Sequence, residues 1–164
     1  MSRLGYSEVA SAILLVSVSA SCSSAPAAQQ QVSQGTTFTC TPVRVWDGDG
    51  PIWCAEGPRI RLAGIAAREL NGSCSPGHPC PDADPIASRD HLASLVGRVK
   101  GTSSQGHVLV EGLALTCTSN GSAGGSRTAA WCVSPVAGDL SCRMVKDGFA
   151  APWERYWRRH ECSE

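Results

Sequence analysis

No stretch of the 164-residue sequence is apolar for long enough to cross a bilayer as a helix. The nearest, residues 10–20 (ASAILLVSVSA), has 11 residues, which excludes a membrane span. Net charge is missing too, since 14 Lys and Arg balance 14 Asp and Glu. Bulk charge therefore gives no broad footprint for nucleic acid, and any phosphate recognition rests on a few placed arginines. No C-x-x-C pair occurs among the 9 cysteines, which argues against a thiolate zinc site. There is no internal repeat, and the length is that of one domain with a real core.

What is present begins with a leader. Arg3 supplies a positive start, the apolar run follows, and a small-residue stretch, residues 21–28, offers an A-x-A-like cleavage site after Ala27 or Ala28. Residues 1–28 thus read as a signal peptide. A rival reading makes them a lipoprotein-type leader, with Cys22 lipidated and tying the protein to a membrane, although Ser19 stands where a bulky aliphatic residue is expected. Residues 29–36 read as a linker and 37–164 as the domain. Losing Cys22 with the leader leaves 9 − 1 = 8 cysteines. An even set in an exported chain implies disulfides. Eight cysteines allow 105 pairings, but local positions favour four. Cys40 and Cys54 flank a turn, Cys74 and Cys80 flank a short Gly/Pro loop, and Cys117 and Cys132 bracket a Gly/Ser loop. Cys142 and Cys162 remain, tying down the tail.

Residues 37–65 read as a three-stranded meander, broken by Asp47-Gly48-Asp49-Gly50 and by Glu56-Gly57-Pro58. Arg59–Ile65 alternates charged and apolar residues, the pattern of a half-buried strand. Residues 69–84 read as loop. A helix capped by Asp84 or Ser88 runs to about Val96, where Gly97 ends it. Strands follow at 107–115 and 127–133, around a flexible loop at 118–126. A short helix at 139–146 and a helical tail at 153–162 close the chain. The pattern is mainly β with helices (α+β), and its five strands fit a disulfide-stapled Greek-key barrel of the OB-fold type.

Five segments, in order, resemble the staphylococcal-nuclease (thermonuclease) domain family across roughly residues 37–156. They are Val45-Trp46-Asp47-Gly48-Asp49, Arg59-Ile60-Arg61-Leu62-Ala63-Gly64-Ile65-Ala66-Ala67-Arg68-Glu69, Ser126-Arg127-Thr128-Ala129-Ala130-Trp131, Gly138-Asp139-Leu140 and Val145-Lys146-Asp147-Gly148-Phe149-Ala150. The resemblance implies a five-stranded OB barrel that hydrolyses phosphodiester bonds of DNA and RNA with Ca²⁺. It implies that Asp49 holds the metal, that Arg61 and Arg127 clamp the phosphate, and that Glu69 activates or positions the attacking water. The residue types suit the chemistry. A hard cation held by carboxylates offsets charge on the phosphoryl oxygens. An arginine fork matches two of those oxygens, and a carboxylate orients a water or takes its proton.

The departures concern the metal. Ala66 stands where the family has a second aspartate, Ala67 where it has threonine, Arg68 where it has proline, and Gly50 where it has threonine. Asp47 is either a turn residue or a replacement ligand, with Asp82 and Asp84 further candidates. The tail residues Tyr156, Arg158 and Arg159 either contact nucleic acid or lie on a tail that Trp153 and Trp157 pack onto the barrel. Three functions stand open: a metal-dependent nuclease, a module that binds nucleic acid or another anionic ligand without cutting it, and a structural domain of the cell envelope.

Overall fold

The computed structural model describes Met1, residues 30–158 and residues 160–162; the leader, Cys22 and Arg159 lie outside the described residues. The chain opens with β1 (Thr37–Cys40), β2 (Pro42–Val45), β3 (Ile52–Cys54), β4 (Arg59–Leu62) and β5 (Ile65–Ala66). The helix α1 (Pro85–Val96) follows, then β6 (Gly97–Thr102), β7 (Val108–Gly112), β8 (Leu115–Ser122), β9 (Arg127–Ser134) and β10 (Gly138–Asp139). The chain ends with α2 (Leu140–Lys146), β11 (Ala151–Pro152) and α3 (Glu154–Trp157).

Period-2 patterning sets which face of each strand is buried. On β4, Ile60 and Leu62 point inward while Arg59 and Arg61 stay half-exposed. On β9, Thr128, Ala130 and Cys132 are buried and Arg127, Ala129 and Trp131 are not. On β3, Ile52 and Cys54 face the core and leave Trp53 outside. Eight strands run β1-β8-β9-β4-β3-β2-β7-β6 in one curled, half-barrel sheet, with β10 beside β9. Only Thr41 separates β1 from β2, yet the two occupy distant places in that order. All its ladders are antiparallel except β4 with β9. β5 and β11 form a separate two-stranded ladder.

The core lies inside the curl and under α1 and α2, with Ile52, Ile60, Leu62, Leu92, Leu140 and Met144 fully buried. Truncating any one of these large apolar residues to alanine costs about 2–5 kcal/mol. Asp84 caps α1 through a 2.8 Å bond from the Ala87 N–H, with Pro85 in the first turn. Asp139 caps α2 the same way, through the Cys142 N–H at 2.8 Å.

The four disulfides join Cys40 to Cys54, Cys74 to Cys80, Cys117 to Cys132 and Cys142 to Cys162, the pairs favoured by position in the sequence. Four disulfides suit an oxidising compartment such as the extracellular space.

The strands outnumber the five expected. A break at Thr41 divides the first strand, and an unforeseen strand, β6, follows α1 and pairs with β7, which falls within the strand expected at 107–115. β8 also reaches Ser122, into the segment expected to be loop, because Gly121 and Ser122 pair with Ala129 and Thr128. The tail is helical only over Glu154–Trp157. Residues 31–35 are held alongside β8 and β9, with Val32 N–H donating to Thr128 Oγ1 at 3.0 Å and Ser119 Oγ donating to Val32 O at 2.8 Å.

Candidate functional site

The turn between β2 and β3 presses onto the helix layer. A Cβ at Gly48 would lie 2.6 Å from the Ser88 Cβ and 2.8 Å from the Ala67 Cβ, so only glycine fits. This close approach buries Asp47 and Asp49. Asp49 Oδ2 accepts from Arg61 Nη2 at 2.6 Å and from the Ala67 N–H at 3.1 Å. Arg61 also donates from Nη1 to Ile65 O at 3.1 Å. Asp47 Oδ1 accepts the Asp49 N–H at 3.2 Å, as a turn residue does, while the side chain also lines a cavity. Burial, reinforced by the charges of Asp49 and Glu69, pushes the Asp47 carboxyl up to about 8. Burial also raises Asp49, although Arg61 pulls the other way.

Glu69 begins a loop that is tied at several points. Ser75 Oγ donates to Glu69 Oε1 at 2.7 Å, and the Cys74–Cys80 disulfide closes the segment holding Ser75 and His78. Arg68 is held away from the phosphate side of the site by backbone carbonyls. Its Nε donates to Pro81 O at 2.6 Å and its Nη1 to Gly72 O at 2.9 Å, pinning both ends of the loop. The loop sets His78 with its ring 4.1 Å from Trp153. The sequence gives His78 no firm assignment beyond a disfavoured zinc site with the cysteines. The only sequence signal for it was its place inside the Cys74–Cys80 loop.

The parallel pairing of β4 with β9 brings Arg61 and Arg127 together. Arg61 lies opposite Ala129 and Arg59 opposite Arg127, so Arg61 and Arg127 both sit on the outer face. Arg127 donates from Nη2 to Ala123 O at 3.0 Å. Both arginines open onto one cleft of about 280 Å³ with His78, Asn120, Trp153 and Tyr156. Beyond Arg127 lies a second cavity of about 410 Å³, lined by Asp47, Glu69, Trp46, Trp53 and His107. Arg127 therefore stands between the two. The site thus gathers Arg61, Arg127, Asp47, Asp49 and Glu69. Tyr156 joins it. Arg158 does not line that cleft; it lines a neighbouring depression with Trp131 and His160, on the other side of Asn120 and Tyr156. Trp157 packs against the core and meets Trp131 edge-on at 5.8 Å, whereas Trp153 faces the cleft.

Oxygen donors for a cation are few. Ala66 is fully buried and carries none. Asp49 has one oxygen engaged by Arg61 and Ala67, and Asp47 has one engaged in the turn. The remaining two are hard oxygens, and burial, with the charges of Asp49 and Glu69 added to it, holds the Asp47 carboxyl up at about 8. This donor set fits a divalent ion that keeps most of its water, as Mg²⁺ does, better than Ca²⁺ with its six to eight oxygens. Asp82 and Asp84 supply nothing here; Asp84 is spent as the α1 cap. Among the described residues one trio brings three ligand atoms within 4.8 Å of one another, Asp139, Cys142 and His160. Cys142 is bonded to Cys162 and Asp139 caps α2, so these three serve the fold. No protein-family model matches this chain, and neither does any curated protein.

Proposed function

We propose that this chain is a divergent, exported member of the thermonuclease-like family that hydrolyses phosphodiester bonds of DNA or RNA with a divalent cation. One observation carries the reading: Arg61 and Arg127, far apart in sequence, open onto a single cleft beside Glu69 and the buried Asp47–Asp49 pair. The sheet supports an OB-type barrel. β1 and β2, treated as one bent strand, pair with β8 and β3 respectively, and β4 runs parallel to β9. On this reading they make a five-stranded ring of order β1/β2-β3-β4-β9-β8. The disulfides and the signal-like leader support export.

Each residue then has a task. Arg61 and Arg127 donate to the phosphate oxygens and hold the phosphorus in place as charge builds on them. Glu69, fixed at Oε1 by Ser75, keeps its other oxygen to accept from a water. That water adds to phosphorus, its proton passes to Glu69, and the bond from phosphorus to the leaving sugar oxygen breaks, that oxygen keeping the electron pair and taking a proton from solvent. Asp49 and Asp47 would hold the cation, calcium by resemblance but an ion of the Mg²⁺ kind by the few donors present, which when bound supplies Lewis-acid relief of the phosphoryl charge.

Ala66, together with the engagement of Asp49 by Arg61, favours a second reading, in which the cleft binds the strand without cutting it. The oxidised protein, incubated with single-stranded DNA and RNA in Mg²⁺, Mn²⁺, Ca²⁺ or chelator, separates the two. Cleavage that needs a cation and disappears in Arg127→Ala and Glu69→Ala supports the nuclease. Binding with no cleavage in any ion supports the second reading, and absence of both leaves only a structural domain.

A further inference from the structure

The cavity on the far side of Arg127 is the end of a longer feature. The strand registers place Arg44 opposite Trp53, Trp53 opposite Arg59, and Arg59 opposite Arg127. Residues opposite one another in a sheet share a face. Arg44, Trp53, Arg59 and Arg127 therefore form one row across β2, β3, β4 and β9, on the outer face. Adjacent strands are about 4.8 Å apart, so the row spans about 14 Å. Arg44 lies over the Trp53 ring at 4.7 Å and Arg59 at 5.4 Å. His107 meets the same ring edge-on at 4.7 Å and Trp46 at 4.9 Å.

The charge of the row is unspent. Among the described residues, the ion pairs involve Arg61, Arg89, His91, Arg98, Lys100, Arg143 and His160, and none involves Arg44, Arg59 or Arg127. Trp53 Nε1 and Arg59 Nε have no hydrogen-bond partner either, so stacking alone holds them. A chain with no net charge has thus collected three unpaired arginines and three aromatic or imidazole rings on one strip. The strip opens into the cavity of about 410 Å³ and ends at the phosphate clamp.

We propose that this row is a binding track for an unpaired nucleic-acid strand, which it feeds past Arg127 into the cleft of Trp153 and Tyr156. The recognition chemistry is phosphate on the guanidinium groups, which Trp53 holds in line, and exposed base faces on Trp46 and His107. Guanidinium charge interleaved with aromatic faces suits a single strand, whose bases are free to stack. A duplex keeps its base faces inside the helix and can use only the arginines. The inference rests on the phosphodiester reading of the clamp and extends it to the substrate, a single strand several nucleotides long rather than a duplex or a mononucleotide.

Binding is measured by fluorescence anisotropy with the oxidised protein in chelator, on a 12-nucleotide oligothymidylate, the matching oligouridylate, a dinucleotide and a 12-base-pair duplex. Arg44→Gln with Arg59→Gln, and separately Trp53→Ala, lower affinity for both 12-mers at least tenfold and leave the dinucleotide unaffected. The double arginine variant also lowers the dependence of log affinity on log salt by about 0.7 per arginine removed. Trp53→Phe keeps most of the binding, which separates lost stacking from lost fold, and Arg98→Gln with Arg143→Gln controls for charge removed elsewhere. Row variants that bind the 12-mers like the parent overturn the track and leave the clamp standing. So does a parent that holds the duplex as tightly as the single strand. A parent that binds no oligonucleotide overturns both the track and the clamp.

Discussion

At the residue scale the proposed site depends on two guanidinium groups that no sequence neighbour brings together. Arg127→Ala should lower kcat by about 10² to 10³ while the fold survives, because its side chain bonds only to nearby loop carbonyls. Arg127→Lys should recover little of that, since an ammonium cannot match two phosphate oxygens at once. Single-turnover cleavage of a labelled strand measures both, and a lysine variant with parental kcat would rule out the fork. Arg61→Ala should cost more than activity, because it also strips Asp49 of its charged partner. The chain itself announces Asp49, Arg61, Glu69 and Arg127 through the order of their motifs. It does not announce Arg44, Trp53 and Arg59 as a unit. Their alignment with Arg127 depends on the parallel β4–β9 register, which joins residues 68 positions apart, 127 − 59. Arg68 was legible as a departure and illegible in purpose, since its partners Gly72 and Pro81 lie on a loop with no periodicity to read.

At the element scale the loop after β5 does for the site what a rigid strand would do. The Cys74–Cys80 bridge spans 6 residues, and a ring that small is worth about 2 kcal/mol in chain entropy. Cys142–Cys162 spans 20 and is worth about 3 kcal/mol. Cys74→Ser with Cys80→Ser should therefore lower Tm modestly, yet it should cut activity sharply, since the loop supplies the Ser75 bond to Glu69 and the His78 stack on Trp153. Cys142→Ser with Cys162→Ser should do the reverse, loosening the tail with a larger fall in Tm. Melting curves and cleavage rates on the two variants test this, and equal activity losses would deny the loop a separate role. The hydrophobic pattern located α1, α2, β4 and β9 well because each buries one clear face. It missed β6 because all but one of its residues are exposed, and the helix-stopping Gly97 hid a strand that starts at that residue. It missed β8 beyond Leu115, where 118–122 reads as loop because Asn120, Gly121 and Ser122 are turn residues by composition, and only the β9 register makes them strand.

For the whole molecule, the buried acid pair ties stability to pH and to cations. Asp47 has an ordinary value of 3.8 and is pushed up to about 8 in the fold. Between these values the native state keeps a proton that the unfolded chain has lost, so stability must fall as pH rises through this window. Asp49 is raised as well and acts in the same sense. Asp147 is the opposite case. Burial raises it, but hydrogen bonds and charge from Arg143 and His91 outweigh that and hold it below the usual range. Its contribution is therefore lost only at the acid end, as pH falls below about 4. In chelator, the protein should lose stability on the order of a few kcal/mol from pH 4 to pH 8. Asp47→Asn should flatten that decline and be the more stable protein at pH 8. A divalent cation that binds the ionised pair should raise Tm at pH 8, leave it unchanged at pH 4, and have less effect on Asp47→Asn. The order among Mg²⁺, Mn²⁺ and Ca²⁺ in that shift measures the affinity left in a site with Ala66 in place of a carboxylate. Melting across the pH range in chelator and in each ion decides the matter. Stability that climbs towards pH 8 without metal would mean the pair is already ionised and offset by Arg61, and that no cation is needed to hold the two aspartates together.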